Sequence, residues 1–146
     1  MEQFIEFMGN HPYEFLALGV VLGLLAWNLL GEHIQGIKQL APQQAALLMN
    51  HEDAVVIDVR EENEYLQGHI LNSMNVPSSS FSSKLNRLEK YRQRPIIISC
   101  LSGHRTIQVG KTLKANGFEK IFHLKGGITA WHNANLPLIK GKESSK

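Results

Sequence analysis

The chain has 146 residues, with fifteen Lys and Arg, thirteen Asp and Glu, seven His and one Cys. That length allows one domain of ordinary size. A single cysteine excludes an intramolecular disulfide and any CxxC metal or redox pair. The histidines show no HxxxH or similar ligand spacing, so no metal site is expected.

Charge and hydropathy are unevenly distributed. The first fourteen residues carry Glu2, Glu6 and Glu14 and no Lys or Arg, whereas all fifteen basic residues lie at Lys38 or later. From Glu32 onward fifteen basic residues face ten acidic ones, a charge of +5 spread without a basic stripe or interleaved aromatics. Nucleic-acid binding is not expected.

After an acidic tail over residues 1–12, Phe15 to Leu30 reads FLALGVVLGLLAWNLL, with Asn28 as its only polar side chain. A helix over residues 13–31 would be about 28 Å long, close to the roughly 30 Å of a bilayer core. A cleaved signal peptide needs a basic n-region and a small-x-small site, and neither is present. The segment is therefore expected to be an uncleaved transmembrane helix, with Tyr13 and Trp27 near its two ends as interfacial aromatics. Lys38 on the far side of the span favours an outside N-terminus and a cytoplasmic domain on the plasma (inner) membrane. Gly19 and Gly23 form a GxxxG, a spacing that can build a weak homodimer face.

Beyond a short linker over residues 32–36, residues 37–139 read as a globular domain and residues 140–146 as a polar tail. Ile37 to Leu40 reads as a short apolar piece ended by Pro42, which opens a helix over Pro42 to Met49. Ala54 to Asp58 is an apolar run expected as a strand buried on both faces. Glu61 to Gln67 reads as a short helix ended by Gly68, and Ser73 to Val76 as a brief strand stopped by Pro77. Ser79 to Arg92 carries Phe81, Leu85, Leu88 and Tyr91 and is expected to be helical. Ile96 to Ser99 is a second buried strand, His104 to Asn116 a helix, Ile121 to Leu124 a strand, and Ile128 to Ala134 a last helix. Alternation of this kind predicts an α/β domain with a parallel sheet covered on both faces, and ligands beyond the carboxyl ends of the strands.

The best-defined strand-to-helix turn is Ser99 to Arg105, and it holds Cys100 on what reads as a solvent-facing loop. The backbone N–H groups of Leu101, Ser102, Gly103 and His104 lie near a helix N-terminus and can point at an anion. Gly103 permits a conformation that other residues resist, Ser102 adds a hydroxyl, and Arg105 adds a planar cation suited to oxyanions. A cysteine in such a cradle gains thiolate character. The turn makes both a nucleophile and an anion pocket, with His104 as a candidate that serves equally well as a solvated first-turn residue.

The motif CLSGHRT, Cys100 to Thr106, resembles the active-site loop of rhodanese-like domains. Two more stretches resemble the family's flanking signatures. IDVREENEYLQGHILNSMNVP, Ile57 to Pro77, resembles its Asp-Val-Arg, Gly-His-Ile and Asn-Val-Pro segments, and LKGGITAWHNANLPL, Leu124 to Leu138, its closing Gly-Gly and Ala-Trp segment. Asn135 stands where that segment usually has glycine. The resemblance implies a three-layer fold with a central parallel sheet, here preceded by one transmembrane helix. It also implies sulfur transfer without a cofactor. Cys100 takes sulfur from a small anionic donor such as thiosulfate and, as a persulfide, passes it to a thiol or cyanide. Asp58 and Arg60 are expected to brace the loops around the site, Glu64 to pair with Arg60, and His69 to be a turn residue with a satisfied side chain. Gly126, Gly127 and Trp131 fit a turn packed against the pocket wall. Two other functions fit in part. A membrane-tethered module used for binding, with little or no turnover, would not need the cysteine that this chain retains. Phosphatases with a related loop carry one more residue between cysteine and arginine.

Overall fold

A computed structural model describes residues 12–34, 37–103 and 105–142; the side chains of residues 12 and 27–34 lie outside that description. The chain divides into two units, Met1–Gly36 and Ile37–Lys146. In the first, α1 runs from Pro12–Ile34, with proline at its first position and Glu14 in its first turn, where the helix dipole favours an acid. Leu16, Leu18, Val20, Val21, Leu22, Leu24 and Leu25 are all exposed. Among the described residues no helix is long and apolar enough to cross a membrane. The 23-residue backbone of α1 extends for about 35 Å.

The second unit is built on a five-stranded parallel sheet in the order β1-β6-β5-β2-β4, formed by β1 Lys38–Leu40, β2 Val55–Asp58, β4 Met74–Asn75, β5 Ile96–Ser99 and β6 Ile121–Leu124. A separate antiparallel pair joins β3 His69–Ile70 to β7 Leu138–Ile139. Every residue of β2 and β5 is buried, as their uninterrupted apolar runs require. Alternate residues serve opposite faces. Val55, Ile57, Ile96 and Ile98 pack with Phe81, Leu88, Val109 and Leu113 on one side. Val56 and Ile97 pack with Ala45, Leu124, Ile128 and Trp131 on the other. The first face is covered by α4 Phe81–Lys84 and α5 Thr106–Ala115, the second by α2 Pro42–His51 and α6 Gly127–Asn133, and α3 is the short helix Glu62–Gln67. This is the expected α/β architecture of three layers.

Pro42 opens α2 as expected, and Lys38–Leu40 before it is an edge strand, with Ala41 held extended at φ −64°, ψ 155° by the proline that follows. Two local expectations fail. Ser79 to Arg92 is not one α-helix: 3-10 turns at Ser78–Ser80 and Leu85–Tyr91 flank the single turn of α4. Leu85, Leu88 and Tyr91 recur every third residue, the 3-10 period, and the Ser83 hydroxyl bonds the Ser80 carbonyl at 2.8 Å. The helix expected from His104 begins at Thr106.

Candidate active site

The carboxyl edge of β5 places Cys100 between the loops that follow β2 and β6. Cys100 is only 1% exposed and belongs to the buried cluster that holds Val59, Val76 and Val109, so the expectation of a solvent-facing cysteine is corrected. The turn of chain after it covers it: Leu101 and Ser102 are exposed and Gly103 half-buried. The Gly103 N–H donates to Cys100 Sγ at 2.7 Å. Gly103 makes this approach at φ +105°, which side chains other than glycine rarely adopt. The Thr106 hydroxyl donates to the Gly103 carbonyl and fixes the same turn. His104 lies outside the described residues.

The loop's other face is held by the start of α6. Ile128 N–H donates to the Cys100 carbonyl at 2.8 Å, and Thr129 donates to the Leu101 carbonyl through both N–H and hydroxyl, at 3.3 and 3.1 Å. Gly127 allows that contact. It sits at φ +59°, and a Cβ there would overlap the Cys100 carbonyl oxygen and crowd that of Leu101, both backbone atoms that cannot swing aside. Gly127→Ala should therefore lower the unfolding free energy by about 2 kcal/mol or more, combining left-handed strain with the overlap. Urea unfolding measures this, and an unchanged midpoint would show that the loop gives way freely. Trp131, expected at the pocket wall, is instead buried in the second-face core, with its indole N–H on the Pro137 carbonyl at 3.0 Å.

Arg105 caps α5 and ends the loop. Its Nη1 lies 3.1 Å from Glu64 Oε2, so Glu64 pairs with Arg105 and not, as expected, with Arg60. For Glu64, burial alone would raise the carboxyl. The hydrogen bonds from Arg105 and from the Glu61 N–H, with the guanidinium charges, outweigh burial and hold it below the usual carboxylate range. The hydrogen bond from Arg105 to Glu64, then the carboxylate charge, raises Arg105 in turn. Beside Arg105 a groove of about 340 Å³ is lined by Ser78, Ser82, Gln108 and Thr112 over Phe81 and Val109.

Arg60 turns the other way. Its guanidinium grips the Asp58 carboxylate, Nε to Oδ1 at 3.0 Å and Nη2 to Oδ2 at 2.7 Å, and Nη2 also reaches the Gly68 carbonyl at 2.7 Å. Both side chains are almost wholly buried. Asn75 Nδ2 donates to the carbonyls of Asp58 and Arg60, at 3.1 and 2.9 Å, tying the β2 and β4 loops together. His69 is fully buried in β3, with Nδ1 2.8 Å from the Tyr65 carbonyl and its ring stacked 3.7 Å from the Tyr65 ring. Its Nε2 has no hydrogen-bond partner among the described residues, so the expectation of a turn residue with a satisfied side chain is corrected. The structure thus brings Cys100, Gly103, Arg105 and Glu64 into one loop cluster, while the Asp58–Arg60 pair ties the loop after β2 to Gly68 at the end of α3. Thr106 and Thr129 hold the Cys100 loop and Asn75 the loop after β2; all three stand within the matching motifs, which give no sign of these bonds.

The sequence model of the Rhodanese-like domain family matches residues 41–134. YibN of Escherichia coli strain K12 is 32% identical over 143 residues, which cover 97% of this chain and 100% of YibN. The thiosulfate sulfurtransferase GlpE of Glaesserella parasuis is 28% identical, over 70% of this chain and 94% of its own. Among solved structures, a rhodanese-related protein from Thermoplasma volcanium superposes with a TM-score of 0.63 at 27% identity, covering 70% of this chain and 97% of its own. The chain belongs to the rhodanese-like domain family.

Proposed function

We propose that this protein is a membrane-anchored sulfurtransferase that works through a persulfide on Cys100. The observation that carries the reading is the Gly103 N–H on Cys100 Sγ, at the end of a loop that closes with Arg105. In the first half-reaction the Cys100 thiolate attacks the outer sulfur of thiosulfate. A new S–S bond forms at Cys100, the donor's S–S bond breaks, and sulfite leaves with the electron pair. In the second, an acceptor nucleophile such as cyanide or a thiolate attacks the terminal sulfur and returns Cys100 as thiolate. The N–H groups of the loop stabilise the anionic sulfur, and Arg105 is the cation beside the donor's path, where it can orient the donor. The relative named a thiosulfate sulfurtransferase supports this chemistry. Supplied with thiosulfate and cyanide, the purified protein should release thiocyanate; a module used only for binding would release none.

The anchor is part of the proposal. It is supported by the uncharged run from Phe15 to Leu30, by the helical backbone over Pro12–Ile34 and by the exposed apolar side chains along it. Lys38 after the span and the absence of Lys and Arg before it favour an outside N-terminus with residues 37–139 in the cytoplasm. The full chain should stay in membranes through an alkaline carbonate wash, and a chain lacking residues 1–36 should not. Release of the full chain by the wash would remove the anchor from the account.

A further inference from the structure

Arg105 carries its charge to the Cys100 loop already paired. Glu64 Oε2 takes the guanidinium at 3.1 Å and accepts the Glu61 N–H at 3.2 Å, so the carboxylate is fixed from two sides on α3. The pair is partly open to solvent, at 44% for the Arg105 side chain and 27% for that of Glu64. Arg105 is also within the electrostatic reach of Cys100 and of Glu61. An anion approaching the thiol therefore meets a guanidinium and a carboxylate together, a near-neutral pair in place of a bare cation.

We propose that Glu64 is a selectivity residue: its carboxylate holds Arg105 beside the loop and cancels much of its attraction for anions, so the site favours weakly charged sulfur donors and acceptors over polyanionic ones. The inference rests on the reading that substrates approach Cys100 past Arg105. A purely structural prop would behave oppositely, because its loss would misplace Arg105 and weaken anion binding.

The test uses the full chain in detergent and two alkylating agents of similar size, anionic iodoacetate and neutral iodoacetamide. With each, the Cys100 thiolate forms an S–C bond and iodide leaves with the pair. The ratio of the two rates cancels any change in the thiolate fraction and reads only the charge preference of the site. Glu64→Gln keeps a side-chain oxygen for Arg105 and for the Glu61 N–H, and should raise that ratio about threefold. Because the electrostatic energy scales with ligand charge, the KM for dianionic thiosulfate should fall by about the square of that factor, roughly tenfold. Glu64→Asp, which keeps the charge on a shorter arm, should stay within about twofold of wild type. A ratio that is unchanged or lower in Glu64→Gln, or that rises equally in Glu64→Asp, overturns the inference. A measurement on the wild type stands apart from the folding of any variant. Between about 0.02 and 0.5 M salt its ratio should change less than twofold, and a threefold fall would mean that Arg105 acts as an uncancelled cation. Alkylation needs no sulfur transfer. A raised ratio in a protein that releases no thiocyanate would thus keep Glu64's role and reject the sulfurtransferase reading.

Discussion

Replacing Asp58 with alanine should lower the unfolding free energy by about 3–5 kcal/mol, because it strands the Arg60 guanidinium in the interior. Only 5% of the Arg60 side chain is exposed, and three of its four side-chain hydrogen bonds end on the Asp58 carboxylate. The remaining bond, to the Gly68 carbonyl, does not neutralise the cation. Domains of this size are held by about 5–15 kcal/mol, so the loss should be visible as a large fall in the urea midpoint. The double variant Asp58→Leu with Arg60→Met should recover much of it, since the cost lies in the unpaired charge rather than in the missing pair. A single variant within about 1 kcal/mol of wild type would show that Arg60 escapes to water, and that the pair joining the loop after β2 to Gly68 is dispensable.

The second large effect is on chemistry. Cys100→Ala should reduce thiocyanate release by a factor on the order of a thousand or more, since no other side chain in the loop can carry a sulfane sulfur. The fold should survive. The substitution removes one sulfur from a well-packed site and the acceptor of the Gly103 N–H, together about 1–2 kcal/mol. Far-UV circular dichroism and the urea midpoint separate the two effects. Residual turnover above about a tenth of wild type in a folded variant would mean that another group accepts the sulfur.

What the sequence made legible was local. The apolar runs of β2 and β5 read directly as strands buried on both faces, and the turn between Ser99 and Arg105 read as the site because a nucleophile, a glycine and a cation coincide there. What it hid depended on distant partners. The β3–β7 pair joins segments at His69–Ile70 and Leu138–Ile139, each too short to show any period. Glu64 stands four residues after Arg60, a spacing that suggests a helical ion pair. Arg60, however, precedes α3 and folds back onto Asp58, which frees Glu64 for Arg105, 41 positions away. The burial of Cys100 was hidden in the same way: a loop cysteine reads as exposed until it joins a core cluster whose other members, such as Val59, Val76 and Val109, come from distant segments.

The persulfide itself tests the central claim most directly. The purified protein is treated with thiosulfate, freed of excess donor and weighed intact by mass spectrometry. The account predicts a gain of one sulfur atom, removed by cyanide with release of thiocyanate and absent from Cys100→Ser. An unchanged mass in a protein whose Cys100 still alkylates would contradict it: the thiol would then be accessible and reactive, yet unable to take sulfur from this donor.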